Sequence, residues 1–240
     1  MIGNVMDVEQ AKKEAGIAAV QFVESGMRVG LGTGSTVKHT VIEIGRAMLE
    51  EGLEVIGVPT SIRTERLAIE HGIPLSTVTQ LGGLDVVIDG ADEFDPAFQL
   101  IKGGGAALLR EKIVAQASKR MIVVADDRKR VERLGAFPLP IEITPFEWED
   151  TLKRISLICG VPANLRMMGS NGSESPLITD NGNMIVDAGV GNPFIDNPAL
   201  IESQLLHLAG VVEVGLFIDM CDTVVLAGQT GVEILRRSDV

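Results

Sequence analysis

Asp89 to Lys112 reads DGADEFDPAFQLIKGGGAALLREK, and it follows a largely apolar run, LDVVI, at Leu84 to Ile88. A short apolar, β-branched run closed by turn residues reads as a buried strand. Asp89 and Asp92 therefore stand just past a strand's carboxyl end. FQLIK puts Lys102 at the end of another short strand. Gly103, Gly104 and Gly105 then let the backbone approach a ligand before a helix begins near Ala106. Such a gathering reads as a phosphate cradle with an acid/base residue attached, as a metal site, or as a solvated loop with a helix cap.

Outward from it, MRVGLG, EVIGVP and RMIVVA are further short strand-like runs, separated by helix-like segments around 36–51, 61–71 and 106–118. Apolar residues from Val8 to Phe22 recur at helical spacing, with Asp7 and Gln10 placed as a capping box. Strands alternating with helices imply right-handed βαβ units. The expected fold is α/β, a mostly parallel sheet domain over 1–135 and 208–240. After Val131 the pattern changes. FPLPIEITP carries three prolines, and TLKRISLICGVPANLRMM and LITDNGNMIVDA read as a helix and two strands around an Asn181-Gly182 turn. This predicts a smaller α+β domain inserted over 136–207. GVVEVGLF and DTVVLAG are expected to return to the first sheet, and NGSES around Ser173 to form an exposed loop.

The chain has 240 residues, 45% of them hydrophobic, enough to bury a large core without disulfides. Its two cysteines, Cys159 and Cys221, form no metal-binding spacing and suit a reducing compartment. No uninterrupted apolar run approaches the roughly 18 residues of a membrane span, and the N-terminus lacks a signal pattern. The expected location is the cytoplasm. A net charge of -12 disfavours nucleic acid or anionic membrane as partner. Residues 102–133 nevertheless hold nine Lys or Arg against four acids. An anionic small molecule is expected there.

VGLGTGST, Val29 to Thr36, follows a strand and opens a helix, where backbone N–H groups and hydroxyls are available to an anion. A dinucleotide fingerprint would need glycine where Ser35 stands and an acid closing the second strand at Val58-Pro59. A Walker loop would need Gly-Lys before its Ser or Thr. The segment is either a phosphate loop or a tight turn with Ser35 or Thr36 as helix cap.

In an open parallel sheet, residues beyond the carboxyl ends of neighbouring strands converge on one crevice. Asp89, Asp92, Lys102 and the GTGST loop would meet there. Asp89 would sit at a largely buried strand end, where an acid needs a partner. Glu111, between Arg110 and Lys112, faces either the crevice or water, and helical position alone favours a solvated charge. Asp89, Asp92, Glu93 and Asp95 offer oxygen ligands but lack calcium-loop spacing, and Lys102 competes for the same carboxylates. The histidines, His39, His71 and His207, are scattered.

GLGTGST, DGADE, KGGGAALLREK, ADDRK ending at Lys129, FPLPIEI, TDNGNMIVD and GVVEVGLF occur in the order found in the ribose-5-phosphate isomerase A family, which the chain resembles over almost its whole length. The resemblance implies a Rossmann-like α/β domain with a smaller α+β domain, and interconversion of ribose 5-phosphate and ribulose 5-phosphate without metal or organic cofactor, by a homodimer or homotetramer. Carried over by motif, Thr33, Gly34, Ser35 and Thr36 resemble a substrate-binding loop. Asp89, Gly90, Ala91 and Asp92 resemble an acidic loop, and Lys102, Gly103, Gly104 and Gly105 a lysine-glycine loop. Glu111 matches the proton acceptor and Lys129 a further substrate-binding lysine. The sequence departs from the family at Arg128-Lys129, where Ser-Lys is frequent, and in TSIRTERL. Three other functions compete. A sugar-phosphate sensor would keep the loop without needing Glu111. A CoA-transferase-like enzyme would use a glutamate as nucleophile. An amino-sugar phosphate deaminase would call for a histidine near the acidic loop, and none stands there.

Overall fold

The computed structural model describes residues 7–169, 174–189 and 195–239; most of the NGSES loop expected around Ser173 lies outside them. The chain divides into two compact units, one of Met1–Ala91, Arg110–Arg130 and Met220–Val240, the other of Asp92–Leu109 and Val131–Asp219. The second unit thus takes in 92–109, 131–135 and 208–219, beyond the 136–207 read from the sequence. The chain changes unit inside DGADE, after Ala91, and inside KGGGAALLREK, after Leu109.

The first unit opens with α1 (Val8–Ala18), prolonged by a 3-10 turn to Phe22. Asp7 occupies the N-cap but makes no side-chain cap hydrogen bond, and Gln10 bonds Glu14 instead. The expected capping box is therefore not formed. There follow β1 (Arg28–Leu31), α2 (Val37–Glu51), β2 (Ile56–Pro59), α3 (Ile62–Glu70), the short α4 (Val78–Leu81) and β3 (Val86–Gly90). The chain then makes β4 (Glu93–Phe94) and β5 (Leu100–Ile101), and returns through α5 (Leu108–Gln116) to β6 (Met121–Asp126). β3 and β6 are buried along almost their whole length, as expected of parallel strands covered on both faces.

The second unit continues with β7 (Leu139–Ile143), α6 (Trp148–Cys159), β8 (Ala163–Leu165), β9 (Met167–Met168), β10 (Ser175–Pro176), β11 (Met184–Ala188), α7 (Pro198–Leu206), β12 (Val211–Val214) and β13 (Leu216–Phe217). β14 (Thr223–Gly228) and β15 (Gly231–Arg236) complete the first unit. Its six-stranded sheet has the order β15-β14-β6-β3-β1-β2, parallel except for β15. Its core joins Val29, Leu31, Val86 and Ile88 to Ala11, Ala15, Val41 and Ile44 of the covering helices.

The four-stranded sheet of the second unit, β12-β7-β11-β8, is antiparallel. Leu139, Ile141 and Ile143 alternate onto its core face, with Ile155 and Leu205 packed in the same cluster. DTVVLAG joins the first sheet as expected, but GVVEVGLF does not. It splits at Gly215 into β12, which pairs with β7, and β13, which pairs with β5. A Cβ at Gly215 would lie 2.2 Å from the Lys102 carbonyl, so only glycine allows the chain to pass there. The Asn181-Gly182 turn forms, with Gly182 N–H donating to Thr179. Only its second arm is a strand; the first is reduced to a bridge between Ile178 and Met184. Cys159 and Cys221 are buried and not joined in a disulfide, and burial pushes the Cys159 thiol up to about 12.

Candidate active site

β1 lies between β2 and β3, so the chain leaves it in one direction and later returns on its other side. Such a reversal opens a crevice at the strands' carboxyl ends. Leu31 pairs with Ile88 across it, and the GTGST loop and Asp89 are the next residues on either strand. Asp89 is fully buried. Its Oδ1 accepts the main-chain N–H of Thr33 at 2.9 Å and of Gly90 at 2.7 Å. A Cβ on Gly32 would fall 2.2 Å from that oxygen. Gly32 is thus required at the site, although no dinucleotide fingerprint is present.

The Thr33 hydroxyl is a hub. It lies 2.7 Å from the hydroxyls of Thr60 and Ser61 and 3.0 Å from that of Thr64, which donates to the Gly32 carbonyl at 2.9 Å. This gives TSIRTERL a physical meaning: its three hydroxyls hold the glycine loop from behind. Ser35 is exposed, Gly34 is partly buried, and Thr36 is buried at the N-cap of α2 without a side-chain cap bond. Thr36 therefore does not serve as the helix cap that the turn reading required.

Glu111 is 3% exposed, which overturns the solvated charge favoured by helical position. Leu108, Glu111 and Ala115 share one buried stripe of α5. On the same helix, Val114 packs on β1 so closely that a Cβ on Gly30 would lie 2.7 Å from its Cγ1. A helix joining parallel strands runs back along the sheet, so Glu111, about 4.5 Å further up the axis, lies toward the strands' carboxyl ends. Lys112 is also buried, which the sequence did not announce. Lys129 is half-buried in the 3-10 turn directly after β6, at the same edge of the sheet. The neighbouring Arg128 donates to Asp126 at 2.6 Å. Burial pushes the Asp126 carboxyl up, but the Arg128 guanidinium outweighs it and leaves the group below the ordinary range.

The second unit carries the other half of the expected residues. Lys102 is 2% exposed. Its main-chain N–H donates to Gly215, and its ammonium lies 5.3 Å from the centroid of the Phe217 ring, within cation–π range. Asp92 accepts the Gly104 N–H at 2.7 Å. Gly103 is buried with φ +110°, while Gly104 and Gly105 are exposed. Gly90 and Ala91, which end the first unit's stretch, are partly buried. The other acids have backbone partners: Glu93 accepts from Gly135 and Phe137, and Asp95 from Ala97 and Gln99. Burial holds the Asp95 carboxyl above its ordinary value in spite of those bonds. Neither acid is presented as a metal ligand.

The first unit therefore offers a glycine loop anchored on a buried aspartate, with a buried glutamate at the same sheet edge. The second offers a buried lysine, an aspartate and a glycine turn. The first thus has parts for holding an anion and moving a proton, and the second a cation and a further acid. Gly32, the Thr60–Ser61–Thr64 hydroxyls and Phe217 were not singled out from the sequence. Gly32 stood within the quoted loop; Phe217 stood in GVVEVGLF with nothing local to mark it.

Residues 56–231 match the family described as ribose 5-phosphate isomerase A (phosphoriboisomerase A). A ribose-5-phosphate isomerase A from a Ruegeria species is 50% identical over 233 residues, covering 94% of this chain and 86% of the relative. One from Cereibacter sphaeroides is 50% identical, with coverage of 93% and 90%. Among solved structures, a D-ribose-5-phosphate isomerase in complex with phospho-erythronic acid is 41% identical with a TM-score of 0.90, covering 96% of this chain and 100% of that one. The ribose 5-phosphate isomerase A of Methanocaldococcus jannaschii is 36% identical with a TM-score of 0.88, at the same coverage.

Proposed function

Since the chain belongs to the ribose-5-phosphate isomerase A family, we propose that it interconverts D-ribose 5-phosphate and D-ribulose 5-phosphate. The observation that carries this reading is the burial of Glu111 on the inner stripe of α5, where a carboxylate has no purpose in packing. The reaction needs one base that takes the proton from C2 and returns it at C1. Glu111 is that base. Lys102 holds positive charge near the enediolate oxygens formed between the two steps, a preorganised contribution of roughly 3 kcal/mol in sites of this kind.

Asp89 and Asp92 bond the sugar hydroxyls and assist opening of the furanose ring, each carboxylate also holding a loop N–H. Thr33 to Thr36, Gly90, Ala91, Gly103 to Gly105 and Lys129 complete the substrate-binding set. The phosphate, remote from the reacting carbons, aligns C1 and C2 with the base and lowers the entropic part of the barrier. The relative solved with phospho-erythronic acid supports a sugar-phosphate ligand. No described helix is long and apolar enough to cross a membrane, and both cysteines are buried outside any disulfide. The cysteine usage of the sequence suits the cytoplasm, and the resemblance implies a homodimer or homotetramer.

Steady-state assays of chelator-treated protein with ribose 5-phosphate and with a hexose 6-phosphate test this. Ribulose 5-phosphate formed in strong preference to any hexose product is the expected result. Saturable binding of ribose 5-phosphate without turnover would replace the enzyme with a sensor.

A further inference from the structure

Three glycines in succession give the lysine-glycine loop no side chain to hold its shape, and glycine has the most backbone freedom to lose. Within the second unit two side chains supply that hold, Asp92 on the Gly104 N–H and Arg166 on the carbonyls. Arg166 follows β8, and its Nη1 donates to the carbonyl oxygens of Gly103 at 2.8 Å and Gly104 at 3.2 Å. Its Nε donates to Asp187 Oδ2 at 2.7 Å, and its Nη2 bonds the other oxygen of the same carboxylate. The Arg166 and Asp187 side chains are only 15% and 20% exposed. The Arg166 main chain is itself fixed, with its N–H donating to Ile185 of β11 at 2.8 Å.

This arrangement has a directional consequence. In a trans peptide the C=O of one residue and the N–H of the next point to opposite sides. Turning the Gly103 carbonyl to Arg166 therefore turns the Gly104 N–H away from it, where it meets Asp92. Turning the Gly104 carbonyl the same way does likewise for the Gly105 N–H. One guanidinium thus sets which edge of the loop is presented, and only a planar fork with five donors satisfies two carbonyls and a bidentate carboxylate together.

We propose that Arg166, oriented by Asp187, is a positioning residue for the isomerisation, fixing the Gly103 and Gly104 carbonyls so that Lys102, Asp92 and the Gly105 N–H face the reacting end of the sugar. The proposal rests on the reading of Lys102 to Gly105 as a substrate loop. It assigns to Arg166 no contact with substrate, and it predicts an effect on the reacting end that is not shared by the phosphate.

The test compares wild type, Arg166→Lys, Arg166→Ala and Asp187→Asn, with Glu111→Gln alongside. For each, kcat, KM, the thermal midpoint, and inhibition by phospho-erythronic acid and by inorganic phosphate are measured. Arg166→Lys keeps the charge and stem but lacks the fork, and it remains informative if the alanine variant does not fold. It should lower kcat about 100-fold, the effect of a misplacement of about 1 Å. Phospho-erythronic acid should bind correspondingly more weakly while inorganic phosphate inhibits as in wild type, and Asp187→Asn should move in the same direction to a smaller extent. Arg166→Lys with wild-type kcat and inhibitor binding would overturn the proposal. So would equal weakening of both inhibitors with a lowered midpoint, which marks a scaffold role alone. A fully active Glu111→Gln would instead overturn the catalytic reading, whatever Arg166 does.

Discussion

The main-chain N–H of Thr33 donates to Oδ1 of Asp89 at 2.9 Å, joining residues 56 positions apart. The bond spans the carboxyl ends of adjacent strands, and both partners are buried. The glycine loop and the acidic loop are thereby one structure. A change in either is felt in the other.

Gly32→Ala tests that union. The added methyl would meet Asp89 Oδ1 at 2.2 Å, and the neighbouring atoms, the Asp89 Cγ and Cα, cannot swing aside as a flexible chain end would. Overpacking of this sort costs roughly 1–3 kcal/mol. We expect a folded protein with a lower thermal midpoint and kcat reduced at least tenfold. A variant with wild-type midpoint and rate would show that the two loops are not coupled through this contact.

Thr33→Val is close to isosteric, yet it removes the hydroxyl on which those of Thr60, Ser61 and Thr64 converge. Leaving buried hydroxyls short of a partner costs about 1–3 kcal/mol. Thr33→Ser keeps the hydroxyl and loses a methyl, a loss of about 0.8 kcal/mol. Denaturant unfolding should rank valine as the more damaging change. The reverse order would mean that packing, and not the hydroxyl hub, holds the loop.

Asp85 links the start of β3 to β1 and is expected to contribute to acid stability. It accepts the Arg28 side chain at 2.7 and 2.9 Å, the Arg28 main-chain N–H at 3.0 Å, and Lys119 at 2.9 Å. The Arg28 guanidinium beside it holds its carboxyl far below the usual range. Such a group adds stability that is complete above its unfolded pKa of about 3.9 and is lost as pH falls through the folded value. The stability difference between wild type and Asp85→Asn should therefore be largest at neutral pH and shrink steadily below pH 4. A difference independent of pH would remove Asp85 from the acid limb.

Much of the first unit was legible because parallel strands buried on both faces read as unbroken apolar runs, and MRVGLG, EVIGVP, LDVVIDG and RMIVVA all become strands of its sheet. GLGTGST, DGADE and ADDRK fall at carboxyl ends of β1, β3 and β6 as that topology requires. GVVEVGLF carried no sign of its partners, because antiparallel pairing with β7 and β5 is decided by residues far away in the chain. The burial of Glu111 was hidden by its charged neighbours, although its spacing from Leu108 and Ala115 marked the inner stripe. Arg166 lies more than 60 residues from the carbonyls it binds, and no local pattern announces such a contact.

The central claim is that Glu111 carries a proton between C2 and C1 of ribose 5-phosphate. The most direct measurement follows ribose 5-phosphate by NMR in deuterium oxide with chelator-treated wild type and Glu111→Gln side by side. Wild type should give ribulose 5-phosphate bearing solvent deuterium at C1. Glu111→Gln should bind substrate nearly normally with turnover lowered by at least about 100-fold, the lower end of what a general base contributes. Glu111→Gln forming product at the wild-type rate, or wild type binding the sugar phosphate without converting it, would contradict the account.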